Sequence, residues 1–308
     1  MLRLLTLFIC GFWCSVATNK RKHVMSPAQL AQFDRDGVII VRGLLSGREL
    51  RNAQRSASRM LYRHERPSPI YRSISFQGWR KDRGLRRFAL DSEVPKIAAQ
   101  LMGLRRDQPM RVLQDALFAL EQGDQSCGWH TDDKFFWPCS DNTKVGDRQA
   151  GVNVWVTLSP LRAVDGGGLA VAPGSHAAPW REAARRAITG TGSAGVPRTC
   201  ELAALGPSYS ARCDAAWRDV TAFDMEPGDA LIHTRYAFHR GVPFKEGAPK
   251  LRYSVRYMPA DAELTDLSGA GVRPLFKAGA YHPQVWPHAL WRERLRLRFG
   301  LAKRLPRL

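Results

Sequence analysis

The chain has 308 residues, 44% of them hydrophobic and 24% charged, which is enough apolar material for a large core and excludes a disordered or fibrous polymer. Its charge balance is less ordinary, since 47 Lys and Arg against 28 Asp and Glu give +19 at pH 7 and a pI near 10.3. Such an excess favours an anionic neighbour, whether a phosphorylated or carboxylated small molecule, an acidic lipid surface or nucleic acid, but no nucleic-acid motif accompanies it.

Met1, Leu2 and Arg3 precede an apolar run from Leu4 to Ala17, which ends at Asn19, Lys20, Arg21 and Lys22. The run is shorter than the ~20 residues that span a bilayer. Ser15 and Ala17 put small residues three and one positions before a cleavage point. Residues 1–17 are therefore expected to be a signal peptide for the secretory pathway. A short membrane anchor holding a lumenal domain, or an organelle presequence, are the other readings. Cys10 and Cys14 leave with such a signal, so Cys127, Cys139, Cys200 and Cys213 remain. Either they form up to two bridges, one tying the loop between Cys200 and Cys213, or they are four reduced thiols. The absence of a CxxC pair argues against a cysteine zinc site.

Residues 26–290 read as one domain. Ser26 followed by Pro27 is a helix start, and AQLAQFDRDG closes at Gly37. VIIVR is a buried strand, and Ser46 with Glu49 has the spacing of a capping box at the head of a second helix. Residues 65–92 are expected to be loop-rich, with basic side chains from Arg80 to Arg87 that are either solvated or at the entry to a site. From Met110 the pattern turns to short apolar or alternating runs between Gly, Pro and Asp turns: MRVLQDALFALEQ, GVNVWVTLSPL, GGLAVAPGSH, DALIHTRYAFHRG and LRYSVRYMP. That is the pattern of an all-β sandwich or barrel. Residues 177–220 form a long insertion, placed as part of a substrate mouth. The last eighteen residues, 291–308, carry seven basic side chains and one acidic. They read as a terminal helix packed on the domain, or as a contact to a membrane surface or an anion.

The chemistry concentrates in GWHTDD, residues 128–133. On an extended segment residues i and i+2 point the same way, so His130 and Asp132 present an imidazole and a carboxylate to one point. A histidine from a distant strand completes a two-histidine, one-carboxylate set, which leaves the opposite face of a ferrous ion open. His239, in YAFHRGVPF, is the candidate, and His233, six residues earlier, is its competitor.

The order SPAQLAQFDRDGVIIVRGLL, GWHTDD, NVWVTLSPL, GGGLAVAPGSH and EPGDALIHTRYAFHRGVP, from Pro27 to Pro259, resembles the phytanoyl-CoA dioxygenase family of Fe(II)/2-oxoglutarate oxygenases. The resemblance implies a mainly β fold, a double-stranded β-helix (jelly-roll, cupin-like) core with flanking N-terminal α-helices. It implies His130, Asp132 and His239 as iron ligands and catalytic residues, with Fe(II), 2-oxoglutarate and O2 as cofactor and cosubstrates. It places Arg252, with Ser254, at the far carboxylate of 2-oxoglutarate, a role suited to a planar guanidinium. Lys250 and Arg256 share the strand parity of Arg252 and are the alternatives. Trp155 is expected to wall the cosubstrate pocket, with Thr131 and Leu117 also touching it. The PGSH turn is structural, and His176 is not a ligand. Related halogenases carry a small residue where this chain has Asp132, so oxygenation is implied, with 2-oxoglutarate leaving as succinate and CO2. The expected substrate is a small molecule, anionic or lipid-like. The rival readings are a noncatalytic binding protein on the same barrel and a basic adaptor for a membrane or polyanion.

Overall fold

The structure is a computed structural model, and it describes residues 24–63, 73–122, 128–132, 136–137, 139–140, 150–189, 207–263 and 283–287. The expected signal at 1–17, the basic tail at 291–308, Cys127 and Cys200 lie outside the described residues. Among the described residues no helix is long and apolar enough to cross a membrane.

Helix α1 (Pro27–Asp36) begins as the sequence dictates: the Ser26 side chain accepts from the Gln29 amide, and the Gln29 side chain reaches back to the Ser26 amide. It ends at Gly37, whose φ of 69° is left-handed, and the His176 imidazole sits 2.3 Å from where a Cβ would stand. Only glycine fits there on both counts. Strand β1 (Val38–Val41) and helix α2 (Gly47–Arg63) follow.

From Ser73 on, the stretch expected to be loop-rich is instead ordered as β2 (Ser73–Phe76), α3 (Gly78–Lys81) and α4 (Arg83–Asp91), then α5 (Val94–Leu101), while residues 65–72 lie outside the described residues. Its arginines flank an apolar stripe, with Leu85, Phe88 and Ala89 buried. Asp82 caps α4 by accepting from the amides of Gly84 and Leu85 at 2.6 and 3.0 Å. Two of the basic groups at this turn are tied to the chain itself. Arg86 donates to the carbonyls of Trp79 and Arg80, and Arg80 stacks on Trp79.

The core is a curled antiparallel sheet ordered β1–β6–β4–β8–β3–β2, built from β3 (Met110–Leu120), β4 (Val152–Thr157), β6 (Ala230–Thr234) and β8 (Lys250–Pro259) between its edges, with β9 (Gln284–Trp286) also on β3. Facing it is a small sheet of β5 (Leu169–Val171) and β7 (His239–Gly241), which the backbone of His130 extends through a bridge to His239. The expected mainly β, cupin-like core is present.

Two faces of the large sheet carry different chemistry. On β8, Tyr253, Val255 and Tyr257 join Leu117, Val152, Val154 and Ile232 in a core packed under α2, α4 and α5. The alternate residues Arg252, Ser254 and Arg256 face the other way and are 3%, 0% and 4% exposed. A strand with one polar face normally turns that face to water. Here it turns into the half-barrel, where buried cations must find partners, so the interior of the curl is a site.

The insertion carries α6 (Arg181–Thr189) and α7 (Pro207–Ala216). Trp180 and Trp217, flanking these helices, pack with tilted rings 4.4 Å apart, and Trp217 meets Trp129 of the metal motif at 5.3 Å. Cys139 and Cys213 are buried, and burial pushes the Cys213 thiol up to about 12.

Candidate metal centre

His130, Asp132 and His239 come together with their ligand atoms all within 4.8 Å of one another, and each residue is buried. The backbone creates this meeting. The His130 amide donates to the His239 carbonyl at 2.9 Å, and the His239 amide returns the bond at 2.8 Å. The paired residues of this bridge are the two histidines themselves, and their rings lie 4.4 Å apart. Asp132 is two residues along the same extended segment, and its Oδ1 stands 3.6 Å from His239 Nε2.

Both ligand histidines are held in one tautomer by the same local device. Nδ1 of His130 lies 2.7 Å from the Gly128 carbonyl, and Nδ1 of His239 lies 3.1 Å from the Ala237 carbonyl. A carbonyl only accepts, so each Nδ1 carries the proton and each Nε2 is left with its lone pair toward the cluster. Burial, then the neighbouring His239, pushes the His130 imidazole down to about 4, so it is neutral and able to ligate at neutral pH. Burial alone raises the Asp132 carboxyl, but Arg256, His239 and His130 outweigh it and hold it well below the usual carboxylate range. Two imidazoles whose Nε2 lone pairs face the cluster and one anionic oxygen, converging in this way, fit a divalent iron.

His233, the competing ligand, is excluded by its own hydrogen bonds. Its Nδ1 donates to the Thr234 carbonyl at 2.8 Å, so Nε2 is the acceptor and is occupied by the Asn153 amide at 3.1 Å. Asn153 Oδ1 in turn accepts from Ser254 at 2.6 Å. Burial, then His239, pushes the His233 imidazole down to about 3. This buried chain of Ser254, Asn153 and His233 lines the inner face beside the ligands.

The other expected residues divide. Arg252 lies over the Trp155 ring at 5.1 Å, opposite Thr157 and Phe118 in the register. Trp155 faces Ser254 across the sheet and packs with Ala116, Phe118 and Leu231 inside the curl. Thr131 is buried, and its hydroxyl has no hydrogen-bond partner among the described residues. Lys250 lies over Phe244 at the end of β8. His176 is at a turn, 3.1 Å from the Asp34 carbonyl, and Ser175 braces the metal strand by accepting from the Phe238 amide at 2.9 Å. Leu117 is a correction. It pairs with Tyr253 and lies in the helix-side core, while Ala116 and Phe118 on either side of it face inward, so strand parity keeps it from the cosubstrate. Arg256 is also not where a remote carboxylate anchor belongs, since its guanidinium is engaged by Asp132 at 2.6 Å.

The sequence pattern of phytanoyl-CoA dioxygenase (PhyH) matches residues 33–248. The chain belongs to that family. With its His130, Asp132 and His239 metal site, it is a 2-oxoglutarate-dependent non-haem iron oxygenase. No curated protein sequence matches it. The fold of this family member is shared by solved structures of low identity. A non-haem α-ketoglutarate-dependent carbocyclase, SnoK of nogalamycin biosynthesis, is 21% identical with a TM-score of 0.62, over 81% of this chain and 88% of its own. The epimerase SnoN in complex with Fe3+, α-ketoglutarate and nogalamycin RO is 22% identical with a TM-score of 0.62, over 84% of this chain and 100% of its own. EctD from S. alaskensis with 2-oxoglutarate and 5-hydroxyectoine is 19% identical with a TM-score of 0.57, over 80% of each chain.

Asn153 and the pairing of Arg256 with Asp132 are site features that sequence reasoning missed. Asn153 had a signal, being the one strongly polar side chain within VNVWV and two residues from Trp155, hence on the same face.

Proposed function

We propose that this oxygenase hydroxylates an unactivated C–H bond of a small organic substrate, with 2-oxoglutarate consumed to succinate and CO2. The observation that carries the reading is the preset His130–Asp132–His239 cluster, two imidazoles and a carboxylate, opening onto a buried wall that carries Arg252 and Arg256. Iron with O2 and 2-oxoglutarate supplies the oxidising power when bound. The chain's own residues bind, orient and exclude water. Arg252 is the anchor for the far carboxylate of 2-oxoglutarate, because its guanidinium is buried on the inner face and lies over the Trp155 ring. Ser254, next on that face, assists it through a hydroxyl held by Asn153. Trp155 and Phe118 keep the pocket dry. Asp132 supports oxygenation over halogenation because it fills the ligand position with a carboxylate.

The carbocyclase and epimerase among the structural relatives show that this fold serves more than one outcome, so the products decide. Secretory targeting by residues 1–17 rests on the apolar run and its small residues, and the tail at 291–308 is read as a surface contact on its charge. The test is to incubate purified protein with Fe(II), 2-oxoglutarate and O2 and to measure succinate, with and without a panel of small carboxylated and acyl substrates. Substrate-stimulated succinate with a mass gain of one oxygen in the product supports hydroxylation. Binding of 2-oxoglutarate without consumption across the panel supports the noncatalytic barrel instead.

A further inference from the structure

The carboxylate of Asp132 has two oxygens with two different surroundings. Oδ1 lies on the ligand side, 3.6 Å from His239 Nε2. Oδ2 accepts two bonds from one guanidinium, from Arg256 Nε at 3.1 Å and Nη2 at 2.6 Å. Both bonds to Oδ2 come from this one side chain. Arg256 is itself fixed, being 4% exposed with its charged carbon over the rings of Phe136 at 4.5 Å and Trp137 at 6.0 Å.

The position of this arginine in the fold gives the contact its meaning. His130 and His239 are registered to each other by the bridge of the small sheet. Asp132 has left that bridge, and a free carboxylate on a turn of chain is able to rotate and offer either or both oxygens. Arg256 stands on β8 of the large sheet, opposite Asn153 and Gln114. It reaches across the curl to Asp132 and Phe136, which bracket the same segment of chain.

We propose that Arg256 is a positioning residue, which ties the metal-motif segment to the large sheet and reserves Oδ2, so that Asp132 gives the metal one oxygen and leaves the remaining positions open for cosubstrates. This inference rests on the metal-site reading and adds a role that the ligand set alone does not require. A fork matters here because two N–H groups converge on one oxygen, which a lysine ammonium cannot reproduce in the same plane.

The experiment is a titration of metal-free protein with Co(II), without 2-oxoglutarate, following the ligand-field absorption of the bound ion in wild type, Arg256→Gln and Arg256→Lys. Arg256→Gln is expected to weaken Co(II) binding by about 10–100-fold and to change the band shape as the released Oδ2 joins the metal. Arg256→Lys restores part of the affinity but not the wild-type band. Far-ultraviolet circular dichroism of each metal-free variant checks the fold. Should Arg256→Gln not fold, the band of Arg256→Lys decides: a wild-type spectrum overturns the proposal, a changed one supports it. Equal or tighter binding by Arg256→Gln with an unchanged band also overturns it, since the arginine would then merely repel the ion. Wild-type protein that takes up no Co(II) overturns the metal site itself, an outcome distinct from failure of the arginine's role alone.

Discussion

Replacing Tyr253 by Phe isolates the buried charge that fastens the helices to the site-bearing sheet. Asp115 lies on the helix side of β3 and accepts from the amides of Gly78 and Trp79 at 2.9 and 2.7 Å and from the Tyr253 hydroxyl. Burial raises its carboxyl to about 6, against the opposing pull of those donors. The folded protein therefore holds this proton more tightly than the unfolded chain, whose carboxyl titrates near 3.8. Stability from this group is present at low pH and is lost as pH rises from about 4 through 6, in all by about 3 kcal/mol for two pK units. Tyr253→Phe keeps the ring, and with it the edge contact to Phe88 at 5.1 Å, but removes a donor to the ionised form. Above pH 7 the loss is about 2 kcal/mol, the scale of a hydrogen bond to a charged group. At about pH 5, where Asp115 is protonated, it falls to about 1 kcal/mol. Urea unfolding of metal-free wild type and variant at about pH 5 and pH 8 measures the difference. A penalty that is equal at both pH values, or larger at the lower, refutes the assignment of a buried ionisable carboxyl coupled to Tyr253.

His239→Ala abolishes Co(II) uptake, whereas His233→Ala leaves it within about tenfold and costs about 1–3 kcal/mol of stability, because Asn153 loses its acceptor; calorimetric metal titration and urea unfolding separate the two. In metal-free protein the His130 imidazole, at about 4 against an ordinary 6.5, takes its proton later than in the unfolded chain. Its contribution is full above pH 6.5 and is lost as pH falls toward 4, so His130→Gln loses less stability than wild type between about pH 7 and pH 4.5 in the presence of a chelator. Gly167 has a φ of 75°, and a Cβ on it meets Arg252 Nη2 at 3.2 Å. Gly167→Ala accordingly raises the KM for 2-oxoglutarate by about tenfold, the loss of one well-placed charged contact, with Co(II) affinity unchanged. Arg252→Lys does the same through loss of the fork, read in the same succinate assay.

The iron ligands were legible because two of them are neighbours in sequence and the third sits in a motif whose order is specific. The choice of His239 over His233 rested on motif order; its physical reason is that the Asn153 amide, 80 residues away in sequence, occupies His233 Nε2, whereas the Ala237 carbonyl takes only the Nδ1 side of His239. Leu117 was assigned to the wrong face. Nearly every residue of β3 is buried, so alternation does not reveal which side is inward. The arginine-rich stretch before it hid β2 and α4, although the Asp82 cap and the spacing of Leu85, Phe88 and Ala89 were there to be read. Arg256 was read as an alternative anchor. Its partner is 124 residues away in sequence, beyond the reach of any local pattern.

The most direct measurement is an anaerobic calorimetric titration of Fe(II) into metal-free wild type and into His130→Ala, Asp132→Ala and His239→Ala. One equivalent bound by wild type, with each single replacement weakening or abolishing uptake, is the expected result. Undiminished binding by the three single replacements would show that the ion is held elsewhere.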